Sequence, residues 1–156
     1  MNNKQKTISE IAHNPLNIRV TNDVWKGQKG QYKGFVDFVD DVDGYRAAVK
    51  ILLGYIGDGL VTPRDIISKW APETENDVEA YLFRVCKPTI SSLIADEPIR
   101  SRKQFRELIY MMTFVERGKA GDFALINKGY ALALKALTRK QTKGLNMLTE
   151  NETINF

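Results

Sequence analysis

From Val42 onward the apolar positions fall at helical spacing. Tyr45, Ala48, Val49, Leu52, Leu53 and Ile56 make one stripe, which stops at Gly57-Asp58-Gly59. Thr62-Pro63 then starts a short helix, with Thr62 as cap and Pro63 in the first turn, carrying Ile66, Ile67 and Trp70 and ending at Ala71-Pro72. Two further helices are predicted, over Asp77 to Cys86 and Pro88 to Ala95. Ser101 with Gln104 has the spacing of a capping box, and the helix after it buries Phe105, Leu108, Ile109, Met112 and Val115 before stopping at Gly118. Asp122 caps a helix running to about Leu137. Residues 138–156 read as a loose polar tail and residues 1–13 as a polar N-terminal segment.

Ahead of these helices the pattern is different. Tyr32 to Val39 alternates loosely, with aromatics and flanking glycines that favour a strand or hairpin. The stretch before it, Asn14-Pro15-Leu16-Asn17-Ile18-Arg19, has no helical repeat. Pro15 fixes its own φ and pushes Asn14 out of the helical region, and Asn17 and Asn22 favour turns. An ordered loop follows, with Leu16 and Ile18 as plugs, and with amide, guanidinium and (at Trp25) indole groups available to a polar ligand. The fold class is mainly α, an α+β domain of helices with one short β-hairpin or extended insert.

Composition narrows the chemistry. The 156 residues are 43% hydrophobic and 27% charged, the make-up of one globular domain with a real core. A single Cys, Cys86, excludes an internal disulfide. With one His and one Cys, a zinc site or a Cys–His nucleophile is disfavoured, and neither metal nor cofactor is expected. Carboxylates remain as the catalytic candidates. No apolar run approaches membrane-spanning length, and residues 1–13 lack the apolar core of a secretory signal. The net charge of +4 suits an anionic partner. Because Lys and Arg are spread along the chain without a nucleic-acid motif, nucleic acid is a weaker partner than an anionic cell-wall polymer.

Glu116 is the most informative carboxylate. It lies four residues after Met112, on the edge of the buried stripe, and at a helix C-terminus, where the dipole disfavours negative charge. Both placements raise a carboxyl pKa, as a general acid requires. The alternative is a partly buried ion pair with Arg117, Lys119 or Arg46. Glu10, four residues before Asn14, is the runner-up for general acid; otherwise it is a solvated terminal residue. Asp40, Asp41 and Asp43 could hold a catalytic water, but as helix-start charges, with Asp43 or Asp41 as cap, they need no further role. Glu73, Glu75 and Asp77 have the same account at the next helix, with Asn76 and Glu79 as a capping pair. Trp25 and Tyr32 could stack on sugar faces, while Trp70 belongs with Ile66 and Ile67 in the core.

Taken together, Asn14 to Arg19, Trp25-Lys26-Gly27, Phe35 and Phe38, Gly44 to Ala47, Ile66-Ile67, Trp70-Ala71-Pro72, Glu75-Asn76, Tyr81 and Glu116-Arg117-Gly118 resemble a family of small lysozyme-like proteins. These are phage or prophage structural proteins of Bacteroidetes type. The same pieces, in a different chain order, are similar to those of bacterial cell-wall glucosaminidases. One departure is that Arg117 stands where a Ser usually follows the catalytic Glu. The resemblance implies a lysozyme-like domain over residues 14–137 that cleaves peptidoglycan glycan strands as a lysozyme, glucosaminidase or lytic transglycosylase. It implies Glu116 as general acid and Asn14, Asn17, Arg19, Trp25 and Tyr32 as the glycan-binding set. The expected setting is a phage virion, or the host cytoplasm before release to the cell wall, with virion proteins as further partners. The alternative implied is a virion structural or cell-wall-binding protein that keeps the fold without catalysis.

Overall fold

The computed structural model describes residues 5–72, 74 and 76–150. Glu73, Glu75 and the ends of the chain, 1–4 and 151–156, lie outside the described residues. In chain order the elements are α1 (Ile8–Ile11), β1 (Gln28–Tyr32), β2 (Phe35–Phe38), α2 (Asp41–Gly57), α3 (Pro63–Trp70), α4 (Val78–Val85), α5 (Arg102–Arg117), α6 (Phe123–Ala133) and α7 (Arg139–Asn146). The protein is mainly helical, with one two-stranded antiparallel sheet.

Helix α2 is the axis of the domain. Its stripe of Tyr45, Ala48, Val49, Leu52, Leu53 and Ile56 is buried, as are Gly44, Ala47, Gly54 and Gly57 on its other faces. A helix buried on so many sides needs neighbours that come close, and glycines supply them. Gly129 of α6 faces Tyr45, where an added Cβ would sit 2.7 Å from the Tyr45 Cβ. Gly144 of α7 lies against the Leu53 carbonyl, and Gly57 of α2 against the Lys140 carbonyl; a methyl at either would overlap backbone. Helix α5 closes the other side, burying Phe105, Leu108, Ile109 and Met112, and Tyr45 reaches across to Thr113 with its hydroxyl 3.1 Å from the Thr113 Oγ1. Each large aliphatic buried in this centre contributes roughly 1.5–3 kcal/mol by leaving water.

The hairpin turns through Lys33 and Gly34, at φ +50° and +88°, between the paired residues Tyr32 and Phe35. Both central residues in the left-handed region give the turn whose twist matches a hairpin. Strand β2 buries Val36 and Phe38, and the loop from Asn14 runs alongside it. The Val36 N–H donates to the Ile18 carbonyl at 2.9 Å, and Val20 N–H to the Gly34 carbonyl at 3.0 Å. Leu16 and Ile18 are core plugs, as the sequence suggested.

Three expectations are corrected. Residues 138–150 are not a loose tail. Thr138 and Gln141 form a capping box for α7, Leu148 is buried, and Thr149 exchanges backbone hydrogen bonds with Arg100 and Arg102 at 2.8 and 3.0 Å. The segment reads as polar because its closest contact is made by Gly144, which adds no apolar signal. Residues 88–95 are turns and extended chain, not a helix. There the Ser92 amide donates to the Glu107 carboxylate and the Leu93 amide to the Ser91 hydroxyl, both at 3.0 Å, so a helical ladder is replaced by side-chain acceptors. The caps of α2 and α4 are Asp40 and Asp77, in place of Asp41 or Asp43 and of Asn76.

Helix propensity alone makes Gly144→Ala stabilising by about 1 kcal/mol. Contact with the Leu53 backbone reverses the sign: Gly144→Ala and Gly57→Ala should each lower stability, by ~1–3 kcal/mol, because α7 must move off α2. Urea unfolding measures this, and a stabilised Gly144→Ala protein would disprove the packing argument.

Candidate active site

Glu116 ends α5, one residue before Arg117 and two before Gly118, whose φ of +82° closes the helix in the left-handed conformation. Its carboxylate is held by neutral donors from different elements. The Tyr81 hydroxyl, from α4, donates to Oε2 at 2.9 Å. The Asn17 side-chain amide donates both to Oε1 and to Glu116's own carbonyl, each at 3.1 Å. Asn17 reaches this position with φ +54°, a conformation Asn tolerates better than most residues, and its Oδ1 is buried without a partner.

Burial pushes the Glu116 carboxyl above its ordinary range; hydrogen bonding from Asn17, Tyr81 and the Trp70 side chain and the positive charge of Arg19 oppose the rise without cancelling it. The same burial, with the Glu116 charge beside it, holds the Tyr81 hydroxyl well above the usual phenol range, so Tyr81 stays a donor.

The neighbouring cations are committed elsewhere. Arg117 forks onto Asp41 with two bonds of 2.8 and 2.9 Å and also donates to the Ser9 hydroxyl at 2.8 Å and carbonyl at 2.9 Å. Lys119 binds Glu10 at 2.6 Å, and Arg46 lies 3.8 Å from Asp43. The ion pair considered for Glu116 with any of these three is not formed.

The carboxylate opens onto a cleft of about 510 Å³. Asn17, Arg19 and Trp25 line one wall, and Tyr55 and Trp70 another, the two rings meeting edge-on at 6.3 Å. Arg19 lies over the Phe35 ring at 4.9 Å, which puts Phe35 in the same wall. Glu116 thus shares one cleft with Asn17, Arg19 and Trp25, which lie far from it in sequence.

Other candidates do not join them. Asn14 is fully buried, and its amide group is saturated by backbone: it donates to the Ile18 and Val36 carbonyls and accepts from the Ile18 N–H, all at 2.9 Å. It fastens the loop to β2 and offers nothing to a ligand. Tyr32 does not line the cleft; the hairpin presents Phe35 there instead, and Lys33 covers the Tyr32 ring at 5.5 Å. Glu10 is the third residue of α1, accepting from the Thr7 N–H at 2.9 Å, and its bond with Lys119 lowers its pKa to about 2. That is opposite to what a general acid needs. Asp40 is a cap and Asp41 is held by Arg117, so neither serves a cleft water; Asp43 does not line the cleft either. The carboxylates that line it besides Glu116 are Asp23 and Asp58, and Asp58 is paired with Lys140 at 2.9 Å. Among the described residues no group of three His, Cys, Asp or Glu side chains is placed to hold a metal ion.

Sequence reasoning missed Tyr81, Tyr55 and Phe35 as site residues and gave Trp70 to the core. Trp70 follows Ile66 and Ile67 at helical spacing, but α3 ends there and the stripe runs out of the core into the cleft wall. Tyr81 shares its stripe with Val78, Leu82 and Val85, and only the position of its hydroxyl sets it apart.

No family model matches the chain. The chain is similar to Protein P5 of Pseudoalteromonas phage PM2, 37% identical over 83 residues, covering 49% of this chain and 52% of that protein. The chain therefore matches about half the length of this phage relative. Among the described residues no helix is long and apolar enough to cross a membrane.

Removing a donor to the charged form should raise Glu116 further, so Tyr81→Phe is expected to move its titration to higher pH, read by carboxyl NMR. The raised pKa also has a stability consequence. Between the unfolded value of about 4.5 and the folded one, the native state binds the extra proton, so unfolding free energy falls as pH rises through that window. Glu116→Gln lacks this loss. Its Oε1 can accept from Asn17 and its Nε2 can donate to Tyr81, so its melting temperature relative to wild type should climb from acidic to neutral pH. A flat difference would mean that Glu116 is not held above its ordinary value.

Proposed function

We propose that the protein cleaves the glycan strands of peptidoglycan, with Glu116 as the general acid, in a phage-associated setting. The observation that carries the reading is the Glu116 carboxylate: partly buried, raised in pKa, held by neutral donors and open to a cleft with aromatic walls. A protonated carboxyl there can donate to the glycosidic oxygen. The proton passes to that oxygen, the C–O bonding pair stays with it, and the sugar is left with oxocarbenium character. Water or a hydroxyl of the same sugar then captures the cation and returns its proton to Glu116. Capture by the sugar's own hydroxyl asks for no second carboxylate and makes the reaction a lytic transglycosylation; hydrolysis would draw on Asp23, the cleft carboxylate without a described ion pair.

Trp25 and Trp70 supply flat apolar surfaces for sugar faces and Arg19 supplies polar contacts, while Asn17, its amide spent on Glu116, serves by holding the acid. Similarity to a phage protein supports association with a phage particle or with lysis, and makes virion proteins reasonable partners. The non-catalytic reading is favoured by a specific feature. Asn17 ties the carboxylate and carbonyl of Glu116 together, so Glu116 also joins α4, α5 and the loop as a structural member.

The two readings separate on Glu116→Gln. The catalytic role predicts a folded protein whose release of soluble fragments from purified peptidoglycan falls by ~10²–10⁴-fold. Wild-type activity should fall as pH rises through the Glu116 pKa, and Tyr81→Phe should carry that limb to higher pH. Glu10→Gln should leave turnover intact, since Glu10 serves Thr7 and Lys119. A wild-type protein that releases no fragments at any pH, with a Glu116→Gln variant that merely unfolds more easily, establishes the structural role instead.

A further inference from the structure

A second cavity of about 510 Å³ adjoins the cleft. The two share Asp23, Trp25, Lys50 and Gln141, so Trp25 and Lys50 form a common wall. The second cavity is strongly cationic: Lys26, Arg46, Lys50 and Lys135 line it, against the single carboxylate of Asp23. Arg46 is the most buried of these cations, its side chain only 11% exposed; its Nη2 makes no hydrogen bond and is ion-paired with the Asp43 carboxylate at 3.8 Å. The Trp25 indole N–H is likewise buried without an acceptor. Buried polar hydrogens without hydrogen-bond partners are uncommon, and with Arg46 offset by Asp43 the charge the cavity offers a ligand comes chiefly from Lys26, Lys50 and Lys135. Lys50 is steadied on the boundary by donating to the Ala136 carbonyl at 2.5 Å.

We propose that this cavity is a subsite for a carboxylate carried by the polymer lying in the Glu116 cleft. The inference rests on the glycan-cleavage reading and adds a specificity element to it. On a peptidoglycan strand the carboxylates are those of the peptide stem or, where a stem has been removed, of the lactyl ether, to one side of the sugar chain. A sugar ring against Trp25 would direct such a substituent over the shared wall toward Lys26, Arg46 and Lys135. The protein would then favour acidic, substituted strands over neutral ones of the same sugar backbone. A patch of ammonium groups that serves any polyanion, nucleic acid included, is the competing account.

The test is sedimentation of the 156-residue Glu116→Gln protein, which leaves the polymer intact, with two preparations of insoluble sacculi, one untreated and one with its carboxylates amidated. Soluble glycan strands, freed of their peptide stems by an amidase, are added as competitor. Amidation should weaken binding about tenfold, the loss of one or two partly screened ion pairs. Adding Lys26→Glu and Lys135→Glu should weaken binding to untreated sacculi by a similar factor and leave binding to amidated sacculi unchanged. Lys26→Gln with Lys135→Gln, expected to give a smaller loss in the same direction, guards against misfolding of the reversed-charge protein, as does its melting temperature. Competition by the stem-free strands shows that the lactyl carboxylate freed by the amidase fits the subsite; strands that do not compete assign the carboxylates of the stem. Equal affinity of parent and variant for untreated sacculi overturns the subsite and leaves the cleft reading standing. An equal loss on amidated sacculi or on duplex DNA also overturns it, in favour of generic charge. Absence of binding to every preparation, amidated included, brings down the glycan reading itself.

Discussion

The close approach of neighbouring backbone to helix α2 is the constraint on which the rest of the structure depends. Gly129 brings α6 onto Tyr45, Gly144 and Gly57 bring α7 onto the second half of the helix, and Gly44 admits Pro15 and the His13 carbonyl at its start. At each contact a side chain as small as alanine would meet backbone or a buried ring. Leu52, Leu53 and Ile56 can be fully buried because the helices around them sit this near. The loop that begins at Asn14 owes its position to the same constraint, since it rests on the first turn of α2 and is then fastened to β2 by the Asn14 amide.

The site follows from how α5 ends against that framework. Arg117, the residue after Glu116, is drawn to Asp41 at the N-terminal end of α2 and to Ser9 of α1, where a bidentate pair and two further hydrogen bonds fix it. Adjacent residues on a helix point in directions about 100° apart, so anchoring Arg117 on the α1–α2 side turns Glu116 toward α3 and α4. There it meets Tyr81 and Asn17, two donors that carry no charge. A carboxylate ion-paired with a cation in that position would be held ionised; here burial raises its pKa, and the neutral donors oppose the rise without cancelling it. Arg117 thus has a positional role, separating the cation from the acid beside it in sequence.

Two cavities meeting at Trp25 and Lys50 give the surface a polarity of its own. One sets aromatic rings beside the raised carboxyl of Glu116, among charged residues of both signs; the other is lined by four cations and one carboxylate.

The sequence by itself determined the mainly helical class, the hairpin region, the stripes of α2 and α5, the caps at Thr62, Ser101 and Asp122, and Glu116 as a carboxylate in a place where charge is disfavoured. These are local properties, fixed by periodicity of 3.6 residues, by cap chemistry and by the helix dipole. Tertiary structure alone decided which residues stand beside Glu116. Asn14 and Asn17 are three positions apart and chemically identical, yet one is consumed by the backbone of its own loop and the other bonds the catalytic candidate. Trp70 and Tyr81 each sit on an apolar stripe, and nothing in the stripe marks where it leaves the core. Helix α7 escaped notice for a related reason: a glycine that makes a close helix contact has no side chain for a hydropathy pattern to register, so the contact exists only once both backbones are in place.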